Sequence, residues 1–237
     1  DHDLKALAGT EHRDSYNREI GGSRRGYFTD DPDYRFLSTG NPDGQSNYSV
    51  GGTSFLASFF TQINYGYKEK YLLMATLRRV GSSIFGPENR FGWFPSITVA
   101  WRMTEEDFID GLAWLTDLKL RASWGKSGFY GNTNPFNQYT LYGGGPGSSY
   151  YAIDGSSNRI QQGFRMVRLG NANTGWQEDV VANVGFDAVL WNGKLTAIVD
   201  WYRKRSKGLL FPLTLPAILG DVTPPNVNIG DIQNSGI

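Results

Sequence analysis

The chain has 237 residues, 39% hydrophobic, 19% charged and 14% aromatic, with 30 glycines, a composition that is not disordered. Its 23 Lys plus Arg balance 23 Asp plus Glu, so no net field gathers nucleic acid, and no long basic run supplies one locally. Cysteine is absent, which excludes disulfide frameworks, thiolate metal sites and thiol nucleophiles together. No run reaches the roughly 18 to 20 apolar residues of a membrane helix, a test that alternating barrel strands escape.

Period-two alternation dominates the chain. Residues 4–9 form the tail of one expected strand. In residues 55–67, Phe55, Ala57, Phe59, Ile63 and Tyr65 share a face, with Ser58, Gln62 and Asn64 opposite. In residues 71–80, Tyr71, Leu73, Ala75 and Leu77 oppose Met74, Thr76 and Arg78. In residues 91–102, Trp93, Ile97, Val99 and Trp101 are set against Ser96, Thr98 and Arg102. Residues 118–125 alternate Leu118, Leu120, Ala122 and Trp124 with Lys119, Arg121 and Ser123. Two more strands are expected at 176–190 and 194–204, joined by Asn192-Gly193, a strong hairpin signal.

The connections alternate in length. Long segments at 10–54, 126–174 and beyond 206, with a shorter one at 81–90, fall on one side. Tight turns at 68–70 and 192–193 and a moderate link at 103–117 fall on the other. Membrane barrels have this pattern, with short periplasmic turns and long extracellular loops. The strands run to about ten to fifteen residues, where about nine to eleven cross a bilayer at a tilt and about five or six suffice in a sandwich. Aromatics gather near strand ends: Tyr65, Tyr67 and Tyr71 by one turn, Phe91 and Trp93, Trp101, Trp191 and Trp201, as interfacial girdles do. The expectation is an all-β, antiparallel transmembrane barrel in which Tyr71, Leu73, Ala75 and Leu77 face lipid. A soluble or secreted glycan-binding β-sandwich and a passive porin-like barrel stay open as alternatives.

The stretch "NYGYKEKYLLMATLRRVGSSIFGPENRFGWFPSITVAWRMTEEDF", followed by "LTDLKLRASWGKSG", resembles the mid-barrel of SusC/RagA-type TonB-dependent outer-membrane receptors. That family's Tyr-x-Tyr-x-x-Lys-Tyr-Leu-Leu hairpin matches residues 65–73, and its Arg-Arg-Asp-Gly-Ser-Ser-x-Phe-Gly loop matches 78–86. Its Phe-Pro-Ser strand ending in Trp-Arg matches 94–102, and Leu-Lys-Leu-Arg matches 118–121. "DWYRKRSKGLLFPLTLP" and "NIGDIQNSGI" resemble the family's later strand, loop and step into the next strand. Val80 stands where the family usually has Asp, and Ile84 where it often has Arg. The resemblance implies that residues 1–237 are part of one β-barrel domain, seven or eight strands of a plugged wall of about 22. It implies a SusD-like lipoprotein over the extracellular mouth, energy from a TonB complex, and oligosaccharide or peptide cargo. The implied location is the outer membrane of a Gram-negative, Bacteroidetes-like bacterium, in contact with its lipid. The chain does not start with Met and stops at Ile237 with nothing to complete an element. We expect an internal stretch of a longer protein, with plug, TonB-contacting segment, signal peptide and remaining strands outside it.

An enzyme is not expected, because the two histidines, His2 and His12, stand at the extreme N-terminus and nothing suggests a triad or zinc site. No cofactor or metal is expected. Glu105, Glu106 and Asp107 follow Thr104 and are expected to build one short helical turn, capped from Thr104 to Asp107. "DDPD" at 30–33 and "NPDG" at 41–44 read as turns and lack the spacing of a calcium loop. "YGGGPGSS" at 142–149 lacks the Lys-Ser/Thr ending of a phosphate loop and is expected to be flexible. The long loop carries Tyr130, Asn132, Asn134, Asn137, Tyr139, Tyr142, Tyr150 and Tyr151. Aromatic faces with amides suit sugar rings and peptide backbones, and Tyr130, Asn132, Tyr139, Tyr142, Tyr150 and Tyr151 are the candidate cargo contacts. Packing of the loop on itself or on the lipoprotein is the alternative. Arg78, Arg102, Lys119 and Arg121 lie opposite the apolar face, hence lumenal in a plugged barrel, where ion pairs with the plug are expected.

Overall fold

The computed structural model describes residues 1–237 apart from 110, 132, 146, 154 and 156–159. Its strands in chain order are β1 (His2–Arg25), β2 (Asn41–Tyr67), β3 (Tyr71–Ser82), β4 (Phe91–Arg102) and β5 (Leu115–Phe129). Four short ones follow, β6 (Leu141–Gly143), β7 (Tyr151–Ala152), β8 (Ile160–Gln161) and β9 (Arg165–Arg168). Then come β10 (Gln177–Leu190), β11 (Leu195–Lys207), β12 (Leu210–Pro212), β13 (Asn226–Asn228) and β14 (Asp231–Gly236). Eight of them form one sheet in the order β1-β2-β3-β4-β5-β10-β11-β14, and the short strands pair locally as β6 with β9, β7 with β8 and β12 with β13. The strands expected from alternation are all present in that sheet, and β14 is the step into the next strand. Contacts divide the chain into two units, residues 1–12 with 56–237, and residues 13–55.

The second unit corrects the expectation of a loop over 10–54, because its residues are mostly strand, the distal parts of β1 and β2. Both of its faces are exposed and mostly polar, with Tyr16, Ile20, Tyr48 and Val50 scattered among charged, hydroxyl and glycine residues, so no sustained apolar alternation marks it in the sequence. Cross-strand polar pairs hold it instead: Tyr48 donates to Glu19 Oε1 at 2.6 Å, and the Ser23 and Ser46 hydroxyls meet at 2.6 Å. The "NPDG" turn expected at 41–44 is the start of β2. Asp31 caps the short helix Pro32–Tyr34 by accepting from Asp33 N at 3.1 Å.

The Asn-Gly turn is longer than expected. Pairing between β10 and β11 ends at Leu190 with Leu195, which makes residues 191–194 the connection, with Trp191 (φ 50°) and Asn192 (φ 53°) both left-handed. The other tight turn likewise places Lys68 and Glu69 at φ 50° and 57°. Consecutive left-handed residues suit the right-handed twist of the flanking strands.

Register aligns a single apolar face across the sheet. Tyr67, Tyr71, Trp101, Leu120, Phe186 and Val199 form one row, and Tyr65, Leu73, Val99, Ala122, Val184 and Trp201 the next. The rows do not carry the apolar band level across the sheet. On β3 the band runs Tyr71, Leu73, Ala75, Leu77 and then meets Arg79; on β11 it runs Leu195, Ala197, Val199, Trp201 and then meets Arg203. The register mate of Tyr71 on β11 is Val199, four residues (199 minus 195) above the start of the β11 band. Four residues rise about 13 Å, and the four strand steps from β3 to β11 span about 19 Å, a tilt of about 35°. Membrane barrels tilt their strands by roughly 35 to 45°. The slope of the apolar band is therefore the one a bilayer requires.

Ile97 sits mid-band on β4 between Ala75 and Trp124. Ile97→Arg should cost about 2–4 kcal/mol of barrel stability in lipid, measured by denaturant titration in bilayers. Thr98→Arg, one residue along and on the polar face, should cost less than half as much.

Candidate functional site

Polar residues on the opposite face form a charge network within the wall. Lys119 Nζ lies 2.9 Å from Asp187, and Arg121 Nε donates to the same carboxylate at 3.0 Å. Arg121 Nη2 also donates to Asp200 Oδ2 at 2.6 Å. That second bond crosses β10, because Arg121 stands opposite Gly185 and Gly185 opposite Asp200. A Cβ on Gly185 would strike Asp200 Oδ1 and come within 2.6 Å of the Val199 carbonyl oxygen. Gly185 is therefore the window through which Arg121 reaches β11. Arg102 lies 3.7 Å from Glu105, 3.7 Å from Asp117 and 4.0 Å from Glu69. Arg78 pairs with Glu11 of β1 and donates to the buried Ser58 hydroxyl at 2.9 Å. All four cations expected on this face thus meet carboxylates of the wall itself. Sequence reading missed Asp187, Asp200 and Glu11 as their partners, although the four-residue spacing of Asp179, Asn183 and Asp187 places them on one face of an otherwise apolar strand.

The short-turn rim is aromatic. The Tyr67 and Tyr71 rings stack at 6.3 Å, Tyr71 and Trp101 at 6.3 Å, and His2 approaches Tyr67 at 4.8 Å. Glu106 ties this girdle together, accepting from Tyr71 Oη at 2.6 Å, Trp101 Nε1 at 3.1 Å and Lys70 Nζ at 3.4 Å. The Tyr71 hydroxyl first, then the Trp101 indole and Lys70, hold the Glu106 carboxyl below its ordinary range. The structure corrects the expected helical turn: a 3-10 turn forms at Met103–Glu105, two residues ahead of Glu105–Asp107, and has no side-chain cap. Thr104 lies inside it and donates to Asp117 Oδ1 at 3.0 Å. The reason is position: the turn starts at Met103 directly after β4, so Thr104 stands within it and not ahead of it, and its hydroxyl turns to Asp117 and Leu118 N.

At the long-loop end the connections are bolted to one another. Phe85 and Thr174 are almost fully buried. Trp176 packs on Phe85 at 5.0 Å, Phe94 at 5.4 Å and Tyr130 at 5.9 Å, and its Nε1 donates to Arg90 O at 3.2 Å. The Phe94 ring fills space that a Cβ on Gly92 or Gly128 would take. Asn137, 3% exposed, donates to Thr174 Oγ1 at 3.0 Å and Asn226 O at 3.2 Å, and accepts from Asn226 N at 2.7 Å. Asn228 links Gly175 and Gly208 in the same way. Above this platform Tyr139, Tyr142 and Tyr151 are exposed, at 53%, 70% and 57%. Tyr150 is half-buried, Tyr130 turns inward onto Trp176, and Asn132 lies outside the described residues.

Two outcomes follow from these geometries. Gly185→Ala should cost about 1–3 kcal/mol by displacing Asp200 from Arg121, seen as a lower thermal midpoint of the folded barrel, while Ser123→Ala stays within about 0.5 kcal/mol. A carboxyl with a depressed folded-state pKa stabilises fully above its unfolded value of about 4.3, and less as pH falls through the folded value. The midpoint difference between wild type and Glu106→Gln should therefore be constant above about pH 5 and shrink below about pH 4. A difference that grows on acidification would refute the Glu106 assignment.

Residues 1–237 match the family described as "TonB dependent receptor-like, beta-barrel". A TonB-dependent receptor of Formosa agariphila is 35% identical over 205 residues, covering 85% of this chain and 19% of the relative. The TonB-dependent receptor SusC of Bacteroides thetaiotaomicron is 31% identical over 205 residues, covering 81% of this chain and 19% of the relative. The solved RagAB peptide transporter superposes with a TM-score of 0.81 at 28% identity, over 99% of this chain and 25% of that one. The chain thus spans about a fifth of the length of these curated relatives. With the tilted two-faced wall, these matches establish that the chain belongs to the TonB-dependent receptor β-barrel family, and within it to the SusC/RagA type.

Proposed function

We propose that the chain is part of one β-barrel domain of an outer-membrane active transporter, which imports oligosaccharides or peptides with a SusD-like surface lipoprotein and is energised by a TonB complex. The observation that carries the reading is the match of residues 1–237 to the receptor barrel family, on a sheet whose apolar band slopes as a tilted wall must. The peptide branch draws support from the likeness to a structure titled a peptide transporter. The plug and the TonB-contacting segment belong to parts of the receptor beyond these residues.

In this reading the lumenal cations Arg78, Arg102, Lys119 and Arg121 also face plug carboxylates. Each already has a wall partner, so a plug carboxylate would join an existing network, and plug movement would exchange partners without stranding a bare charge. The exposed Tyr139, Tyr142 and Tyr151 are the cargo contacts we favour, with Tyr130 in support of the platform. Aromatic faces at a loop crest offer stacking area at low conformational-entropy cost.

The test uses the full-length receptor with its lipoprotein in the source bacterium. Tyr142→Ala with Tyr151→Ala should weaken apparent affinity for cargo by about five- to thirtyfold, on about 1–2 kcal/mol of lost stacking, with surface abundance unchanged. Uptake that survives deletion of the TonB complex would overturn the active-transport reading in favour of a passive pore. A chain recovered without detergent would overturn the membrane reading altogether.

A further inference from the structure

Toward the long-loop end of β11 the apolar face changes character. After Trp201, alternate positions carry Arg203, Arg205 and Lys207, which register sets beside Ala182, Val180 and Glu178 of β10. Lys126 of β5 lies across Val180 on the same face. Trp124, Val180, Ala182 and these three β11 cations line a depression of about 310 Å³. Cavity and register therefore agree that the cations project to the lipid side and not to the lumen.

Among the described residues, their local counter-charges do not balance them. Arg205 donates to Asp231 at 2.9 Å and Lys126 pairs with Glu178. Arg203 Nη2 donates to a neutral amide, Gln233 Oε1, at 2.7 Å, and Lys207 stands across from the Asp231 that Arg205 already engages. Four cations against two carboxylates leave two positive charges at the upper edge of the lipid-facing band. Immediately below lie Val184 and Trp201, paired on that face. A charge facing acyl chains is costly at mid-bilayer and tolerated near the interface, where an anion in the same plane turns the cost into binding. Arg in particular matches phosphate with two parallel donors.

We propose that this depression seats the phosphorylated headgroup of an outer-leaflet lipid, its acyl chains lying against Trp124, Val184 and Trp201. The proposal rests on the outer-membrane reading above and names the lipid that the wall selects. Phosphate oxygens take Arg203 and Lys207, while Asp231 and Glu178 keep Arg205 and Lys126 directed toward the same plane.

The experiment is native mass spectrometry of the full-length detergent-purified receptor, titrated with monophosphoryl lipid A, its dephosphorylated counterpart or inorganic phosphate. Wild type should retain one phosphorylated lipid. The Arg203→Gln/Lys207→Gln double variant should lose about tenfold or more in affinity, and Lys194→Gln at the opposite end of β11 should lose none. The dephosphorylated lipid should bind weakly to all three. Heat-modifiable migration on gels confirms folding, and Arg203→Gln alone serves if the double variant fails to fold. Equal retention by wild type and variant overturns the proposal, as does binding of inorganic phosphate without lipid. A receptor that needs detergent yet shows either result loses this proposal alone, whereas one recovered without detergent loses the outer-membrane reading.

Discussion

A backbone that crosses hydrocarbon must find every hydrogen bond within the protein, since no water is there to complete one. That constraint organises this sheet. It requires long strands paired along their length, as β10 is with both β5 and β11. It also requires a tilt, because strands that close into a barrel cannot run parallel to its axis. Once backbone needs are met between neighbours, side chains divide by parity alone. One set makes a sloping apolar band, and the other is free to carry charge.

The period-two division is legible in the sequence because lipid imposes it across the whole band. Alternation alone assigns Tyr71, Leu73, Ala75 and Leu77 to one face, and the opposing cations to the other. Their partners are not legible. Asp187 and Asp200 lie 66 and 79 residues from Arg121, and alternation fixes the face of a residue without fixing which strands become neighbours. Gly185 reads as a weak strand residue until register sets it between Arg121 and Asp200.

The distal parts of β1 and β2 escape sequence reading for the opposite reason. A ribbon exposed on both faces has no buried side to impose a pattern, and its strand character comes from pairing alone. The loop platform is hidden in a third way. Asn137 and Thr174 stand near opposite ends of the long connection from β5 to β10, and Asn226 comes from the one between β11 and β14, so amides that look suited to cargo turn out to saturate one another.

The Gly185 window also bears on how the wall assembles. A two-residue slip between neighbouring strands preserves the division of faces, so the apolar pattern cannot detect it. Slipping β10 against β5 by two residues in either direction would set Asn183 or Asp187 opposite Arg121 instead of Gly185. Either side chain would block the route to Asp200 and leave that carboxylate without its cation. The glycine and the charges it connects thus act as proofreading for alignment, discriminating among registers that hydrophobicity treats as equal.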